Sequence, residues 1–320
     1  METLERGTLE LERLQQCAAL LRQVLRFCGA VQRLQRQLDQ GALAAAARTL
    51  AELEHGQHHE DTEAASEGAA KGASFNHNLL RGVVAVQKLL PGVEAARAAV
   101  RSRASAMLTD GLAAQAQQDV AAALLAFSAL GLLREKVRTA VSIVSNRARR
   151  VVDTGIGASE SEGDDQWSVL ETTCSELHEL CLSVWHLQYV MLRVKDASGK
   201  SLWEESGLEQ TLTEPFWVQL SSKLSGALAL PARRTLHRDF PRLYRVLFEL
   251  ARKSMLSYEM LQLPPPHRLD EAAALSSLMR PLAGVATAHA SRTRRRLAKV
   301  CFCFFWVLTL SGSLKPNLGP

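Results

Sequence analysis

The sequence predicts an all-α protein, and three observations lead there. Apolar residues make up 47% of the 320 positions and are mostly Ala and Leu, with aromatics at only 5%. Alternating Val/Ile-rich runs, the raw material of strands, do not recur. Apolar positions instead repeat in steps of three and four, which on an α-helix draws a narrow seam along one side. Leu11, Leu14, Ala18, Leu21, Leu25 and Cys28 form one such seam, and Trp167, Leu170, Cys174, Leu177, Cys181 and Val184 form a second. The expected architecture is an elongated array of antiparallel helical bundles with an N-terminal coiled-coil-like hairpin.

The first long helix spans about residues 8–38. Its heptad phase slips after Cys28 and continues through Val31, Leu34 and Leu38, a shift that overwinds a coiled coil locally. Asp39-Gln40-Gly41 stops it, with Gly41 suited to a left-handed cap. A second helix over 42–54 sets Leu43, Ala46, Leu50 and Leu53 on one face. So short a connection makes residues 1–54 an antiparallel hairpin. The periodicity then dissolves into Gly, His, Ser and acidic residues, and 55–78 reads as a flexible loop.

Helical pattern resumes over 79–153, with Pro91-Gly92 as an interruption and Gly111 and Gly131 as breaks. Its last helix carries Leu133, Val137, Val141, Val144, Ala148 and Val151 as a stripe. An acidic, Gly-rich linker follows at 154–165. A second bundle occupies 166–262: a helix from Trp167 to Val194, a polar connection over 196–213, then helices over 214–230 and 231–262. Pro215, Pro231 and Pro241 suit first turns, where a missing N–H costs little. Pro264-Pro265-Pro266 forces an extended break, and a further helical segment completes 263–300. Residues 301–320 are a divergent tail. Its apolar, aromatic part, Cys301 to Leu310, is about ten residues long, whereas a membrane-spanning helix needs ~20.

No reactive centre emerges. His55, His58, His59 and His77, near Glu54, Glu60 and Asp61, fall in a loop with no scaffold to hold metal geometry, so they read as solvated. Gly155-Ile156-Gly157 lacks a preceding strand and a third glycine and reads as linker rather than a phosphate cradle. Cys174 and Cys181, seven apart, read as core, and His178 and His186 have no zinc-type Cys pair beside them. Six scattered cysteines are no disulfide framework, and the N-terminus carries no signal peptide, which places the chain in a reducing compartment, the cytosol. The expectation is no enzyme, no cofactor, no metal and no small-molecule substrate.

The formal net charge of +5 and pI of about 9.0 owe much to one run: Arg292, Arg294, Arg295, Arg296 and Lys299. No aromatic platforms are interleaved with it, so nucleic acid is not the expected partner. It reads as a solvated helix end, the alternative being contact with an acidic membrane surface or partner. Cys301-Phe302-Cys303, next to it, has the setting of palmitoylated cysteines.

Beyond periodicity, the stretch LQQCAALLRQVLRFCGAVQRLQRQL (Leu14 to Leu38), with AARTLAELE (Ala46 to Glu54), resembles subunit 5 of the conserved oligomeric Golgi complex. LLAFSALGLLREKVRTAV (Leu124 to Val141), FWVQLSSKLSGAL (Phe216 to Leu228) and HRDFPRLYRVLFEL (His237 to Leu250) continue the resemblance in order. LSSLMRPLAGVATAHASRTRRRL (Leu275 to Leu297) fits more loosely. The resemblance implies a helical-rod tether subunit without enzymatic activity or cofactor, peripheral on the cytosolic face of the Golgi membrane. It implies a role in intra-Golgi vesicle tethering and retrograde transport, with subunit 7 as direct partner and subunits 6 and 8 in the same group. Members of the family extend past both ends of this chain, so a shortened form is expected.

The Leu11 to Cys28 seam would then zip against a helix of another subunit. Packing on its own chain through Leu43 to Leu53 is the competing expectation. Two other functions stay open on the residues: a subunit of another helical-rod tether such as the exocyst, or a membrane-anchored helical regulatory protein attached through Arg292 to Leu310.

Overall fold

A computed structural model of the chain describes residues 2–55, 83–157, 164–196, 198–230, 234–260 and 271–311. The described residues are all-α, as the sequence predicts; their one β-type pairing is an isolated bridge between Lys195 and Ser201. The chain divides into two compact units, Met1–Ala140 with His186–Gln210, and Val141–Trp185 with Thr211–Pro320. The blocks expected along the chain are contiguous, whereas two of the three dividing points fall inside long helices and the third in the connection after Ser206. Long helices let one unbroken stretch serve two cores, which periodicity alone does not reveal.

The first unit begins with a hairpin of α1 (Glu2–Asp39) and α2 (Leu43–His55). Gly41 closes α1 at φ 72°. Its amide and that of Ala42 donate to the carbonyls of Leu38 and Gln37 at 3.2 and 2.9 Å, the paired bonds of a left-handed helix cap. α3 (Val84–Ala114) and α4 (Gln117–Ala129) follow and pack on the hairpin and on each other, before α5 (Leu133–Val152) begins. Gly131, at φ 66°, ends α4 in the same way as Gly41, with the amides of Gly131 and Leu132 donating to Ser128 and Phe127.

Two expected breaks lie elsewhere. α3 runs straight through Pro91-Gly92. Both residues are exposed, so water can take the hydrogen bond that the proline ring removes. Gly111 is also inside α3, and the turn comes at Gln115, which sits in the left-handed region at φ 55°. Gly111 is needed for a different reason. A Cβ there would stand 3.1 Å from Val120 Cγ2 and 3.2 Å from Asp119 Cβ, so its absence lets α4 fold back closely over α3.

The second unit starts in α5, which ends in one π-helical turn, Asp153–Gly157. That turn replaces the start of the expected linker: Ile156 is buried and Gly155 abuts the Thr173 side chain. α6 (Asp164–Arg193) follows; its end from His186, the bridge and a short helix α7 (Leu202–Ser206), with a Ser201–Glu204 capping box, belong to the first unit. Then come α8 (Thr213–Ala229), α9 (Arg234–Arg238), α10 (Phe240–Met260), α11 (Glu271–Met279), a 3-10 turn (Arg280–Leu282) and α12 (Ala283–Ser311). Pro215 and Pro241 lie in the first turns of α8 and α10, as expected. Pro231, the 264–266 prolines, the histidine-rich stretch 58–77 and residues 312–320 lie outside the described residues.

The aromatic centre of this unit is Trp185 of α6. Its indole N–H donates to the Ser254 carbonyl at 3.1 Å, and its ring meets Phe216 and Trp217 edge-on at 6.0 and 6.5 Å. Trp217 in turn donates to the Ala274 carbonyl at 3.0 Å, linking α8 to α11. Each indole buries its bulk and still satisfies its donor. Among the described residues no helix is long and apolar enough to cross a membrane.

Candidate assembly surface

α1 carries two apolar seams offset by one residue. Leu20, Val24, Phe27, Val31, Leu34 and Leu38 step four-three-four-three-four, the mirror rhythm of Leu11, Leu14, Ala18, Leu21, Leu25 and Cys28. One residue of offset rotates a seam by about 100°, since a turn takes 3.6 residues. The structure buries Phe27, Leu34 and Leu38 of the first set, with Ala30 beside them, against a hairpin partner whose Leu43, Ala46, Ala47, Leu50 and Leu53 are buried too. Val31, Leu34 and Leu38 therefore belong to a separate seam, not to a slipped continuation of the Leu11 seam. Its spacing is as regular as that of the Leu11 seam, which it overlaps along the helix.

The other seam is left uncovered. Leu11, Leu14, Leu21 and Leu25 are 57, 70, 61 and 70% exposed, while Ala18 and Cys28 are half-buried. Self-packing through Leu43 to Leu53 thus uses a different face of α1. Leu9, also more than half exposed, extends the apolar surface toward the N-terminus. Burying a leucine is worth about 1.5–3 kcal/mol, so four of them represent a large unspent interaction.

The hairpin that presents this surface is fastened at several points. Thr49 of α2 donates to the Gln37 side chain at 2.8 Å. Arg97 of α3 pairs with Glu54 of α2 at 2.7 Å, and that hydrogen bond raises the Arg97 pKa above its ordinary value. Arg103 of α3 donates to the Leu38 carbonyl at 3.0 Å.

The second seam has the opposite fate. Trp167, Leu170, Cys174, Leu177, Cys181 and Val184 are all buried within the chain. Burial pushes the Cys174 and Cys181 thiols up to about 12, so both stay protonated at neutral pH and neither is a nucleophile. A groove of about 600 Å³ lies between α6 and α10, lined by Glu171, His178, Arg242 and Lys253 among others. Arg242 bridges there to Glu171 at 3.3 Å and stacks over Trp167 at 4.5 Å. His178 Nδ1 lies 3.2 Å from Ser254 Oγ, and burial followed by the nearby Lys253 charge lowers its pKa, so the ring is neutral. The one thiol lining the groove, Cys174, is protonated, and its Arg242 is bridged. Among the described residues no three His, Cys, Asp or Glu side chains gather as a metal site.

The basic run falls on α12. Arg294, Arg295 and Arg296 are exposed and without an ion pair among the described residues. Arg292 donates to the carbonyls of Ala288 and His237, at 3.2 and 3.4 Å. Lys299 is further along the same helix.

Residues 80–251, more than half of the chain, match the family profile described as conserved oligomeric Golgi complex subunit 5, C-terminal. The chain belongs to the conserved oligomeric Golgi complex subunit 5 family. The matched range contains three of the segments that carry the resemblance, from Leu124, Phe216 and His237 onward. In fold, this family member is similar to a chain in the crystal structure of the Cog5-Cog7 complex from Kluyveromyces lactis, with a TM-score of 0.61 over 89% of this chain and 98% of that one. The two share 14% identity, so that likeness speaks for the helical fold alone. No curated protein sequence matches the chain.

Proposed function

We propose that this subunit 5 family member works in intra-Golgi vesicle tethering and retrograde transport, by assembling with other subunits of the Golgi complex through the Leu11, Leu14, Ala18, Leu21, Leu25 and Cys28 seam. The observation that carries this reading is the exposure of four leucines in heptad register on a helix whose neighbouring face is already satisfied by its own hairpin. A partner helix with a matching seam would cover them as knobs in holes. Subunit 7 is the first partner, because the structurally similar chain comes from a Cog5-Cog7 complex; subunits 6 and 8 complete the group. The work is done at the cytosolic face of the Golgi membrane, as a peripheral protein with no enzymatic step, nucleic acid or small-molecule substrate. Tethering of this kind depends on reach and on several modest contacts acting together. The second seam, Trp167 to Val184, supplies scaffold only.

The test is affinity purification of the tagged chain from its own cells, with subunits identified by mass spectrometry, beside a Leu14→Gln/Leu21→Gln/Leu25→Gln variant. Glutamine keeps helix propensity close to that of leucine. The parent is expected to recover subunit 7, and the variant to lose it at least tenfold while staying folded. Equal recovery by both would move the interface off this seam. Recovery of exocyst subunits instead would redirect the chain to another tether.

A further inference from the structure

The C-terminal helix combines two properties that nothing in subunit assembly requires. After Glu271 the sequence contains no acidic residue, yet it carries seven Lys and Arg, more than the whole formal net charge of +5. Four of those cations, Arg292, Arg295, Arg296 and Lys299, recur at i, i+3, i+4 and i+7 and so share one face of α12. The guanidinium groups of Arg294, Arg295 and Arg296 have no carboxylate to answer them among the described residues.

The helix backbone then continues without interruption from this charged stretch to Ser311. Over Cys301 to Leu310 the sequence is Cys-Phe-Cys-Phe-Phe-Trp-Val-Leu-Thr-Leu, in which Thr309 alone is uncharged polar. A groove on a protein partner calls for an apolar stripe with polar residues behind it. A helical segment apolar all round calls for an apolar medium all round. At 1.5 Å per residue these ten residues are about 15 Å long, half of the ~30 Å hydrocarbon core of a bilayer. They match one leaflet.

We infer that residues 292–310 form a membrane-docking helix for anionic lipid: the apolar end enters a single leaflet and the cationic face of the preceding two turns sits among negatively charged headgroups. Arginine and lysine placed at the boundary keep their charges at headgroup level while the chain below them is immersed. An anionic surface attracts each such cation by an amount that corresponds to about a fivefold gain in binding. A neutral surface would leave the acid-free stretch unused, and nucleic acid would leave the aromatic end unused. This inference stands whether or not the Leu11 seam binds subunit 7.

The experiment uses the purified full chain and two vesicle compositions, phosphatidylcholine alone and phosphatidylcholine with phosphatidylserine. Flotation should carry the chain with the anionic vesicles and leave it behind with the neutral ones, and binding should weaken as salt is raised. The Arg294→Gln/Arg295→Gln/Arg296→Gln variant, which removes two cations of that face and one beside it, should bind anionic vesicles at least about twentyfold more weakly. These three residues are exposed, so far-UV circular dichroism should not distinguish variant from parent.

Depth is read by tryptophan quenching with lipids brominated on the acyl chains. Trp167, Trp185, Trp203 and Trp217 are buried in the fold, so quenching reports Trp306 and should vanish in Trp306→Phe. Equal binding to both vesicle types, full binding by the triple variant, or an unquenched Trp306 in floated protein would each overturn the inference. So would capture by heparin beads in place of anionic vesicles.

Discussion

The Nη1 of Arg103 donates a 3.0 Å hydrogen bond to the main-chain carbonyl of Leu38. Leu38 lies in the last turn of α1, and its carbonyl, which also accepts from the Gly41 amide at 3.2 Å, has a second lone pair to offer. A cation at that end also opposes the partial negative charge of the helix dipole. One side chain of α3 thus gives the Leu38 carbonyl a second donor beside the Gly41 amide and ties α3 to the end of α1. Arg103→Met removes both effects while keeping most of the aliphatic stem. The expected loss is about 1 kcal/mol, because the arginine is largely exposed and part of its charge effect is screened. Urea denaturation measures it, and hydrogen exchange should speed up at the α1–α2 turn more than in α8.

The α3–α4 corner makes a paired prediction. Gln115 adopts φ 55°, a conformation that costs an L-residue with a side chain about 1 kcal/mol and costs glycine little. Gln115→Gly should therefore stabilise the chain by about that amount. Gly111→Ala should do the reverse, since its new methyl would press on Val120 and on the Asp119 stem at 3.1–3.2 Å. The neighbours include main chain, so relief requires α4 to move. Thermal unfolding of the two variants should shift Tm in opposite directions.

On α1, the two seams should respond differently to the same kind of change. Leu34 is buried, and Leu34→Ala should cost about 2–5 kcal/mol through lost burial and a residual cavity. Leu14→Gln and Leu25→Gln change residues that are 70% exposed and should each stay within about 0.5 kcal/mol of the parent. Denaturation midpoints settle this contrast without any partner present. A large loss from Leu14→Gln would mean that the seam is already covered within the chain.

How far the sequence could be read depended on whether the deciding contact was local. The all-α class and the Gly41 and Gly131 turns follow from composition, cap chemistry and period. Pro91-Gly92 misled because a proline breaks a helix only where its lost hydrogen bond cannot go to water, and burial on the third helix is set by distant residues. By sequence Gly111 marks a break between helices, but its need comes from Val120 on the next helix. The two similar seams illustrate the limit most plainly. Trp167 to Val184 and Leu11 to Cys28 have the same spacing, and only tertiary packing decides that one is core and the other is surface. The neighbouring Leu20 to Leu38 rhythm was legible in principle, since its steps are as regular as those of the seam beside it.

The buried thiols yield a pH dependence whose sign can be worked out. Cys174 and Cys181 have folded pKa values of about 12 against an ordinary value of 9.0, the first cause in both being removal from water. Folding therefore favours the protonated thiol. Below pH 9 both states hold the proton and stability is unaffected. Between pH 9 and about 12 the unfolded chain loses protons that the folded chain keeps, so stability falls as pH rises, by about 1.4 kcal/mol per pH unit for each thiol. Cys174→Ala/Cys181→Ala removes that slope at the expense of a lower stability at neutral pH. Urea midpoints at pH 7.5 and 10 for parent and double variant provide the comparison, with the difference between the two slopes isolating the thiols from lysine and tyrosine. The same burial predicts that iodoacetamide modifies exposed Cys17 at neutral pH and reaches Cys174 and Cys181 only on unfolding. Equal slopes for the two proteins, or modification of Cys181 in the folded chain, would place these thiols in contact with water and remove the Trp167 seam from the core.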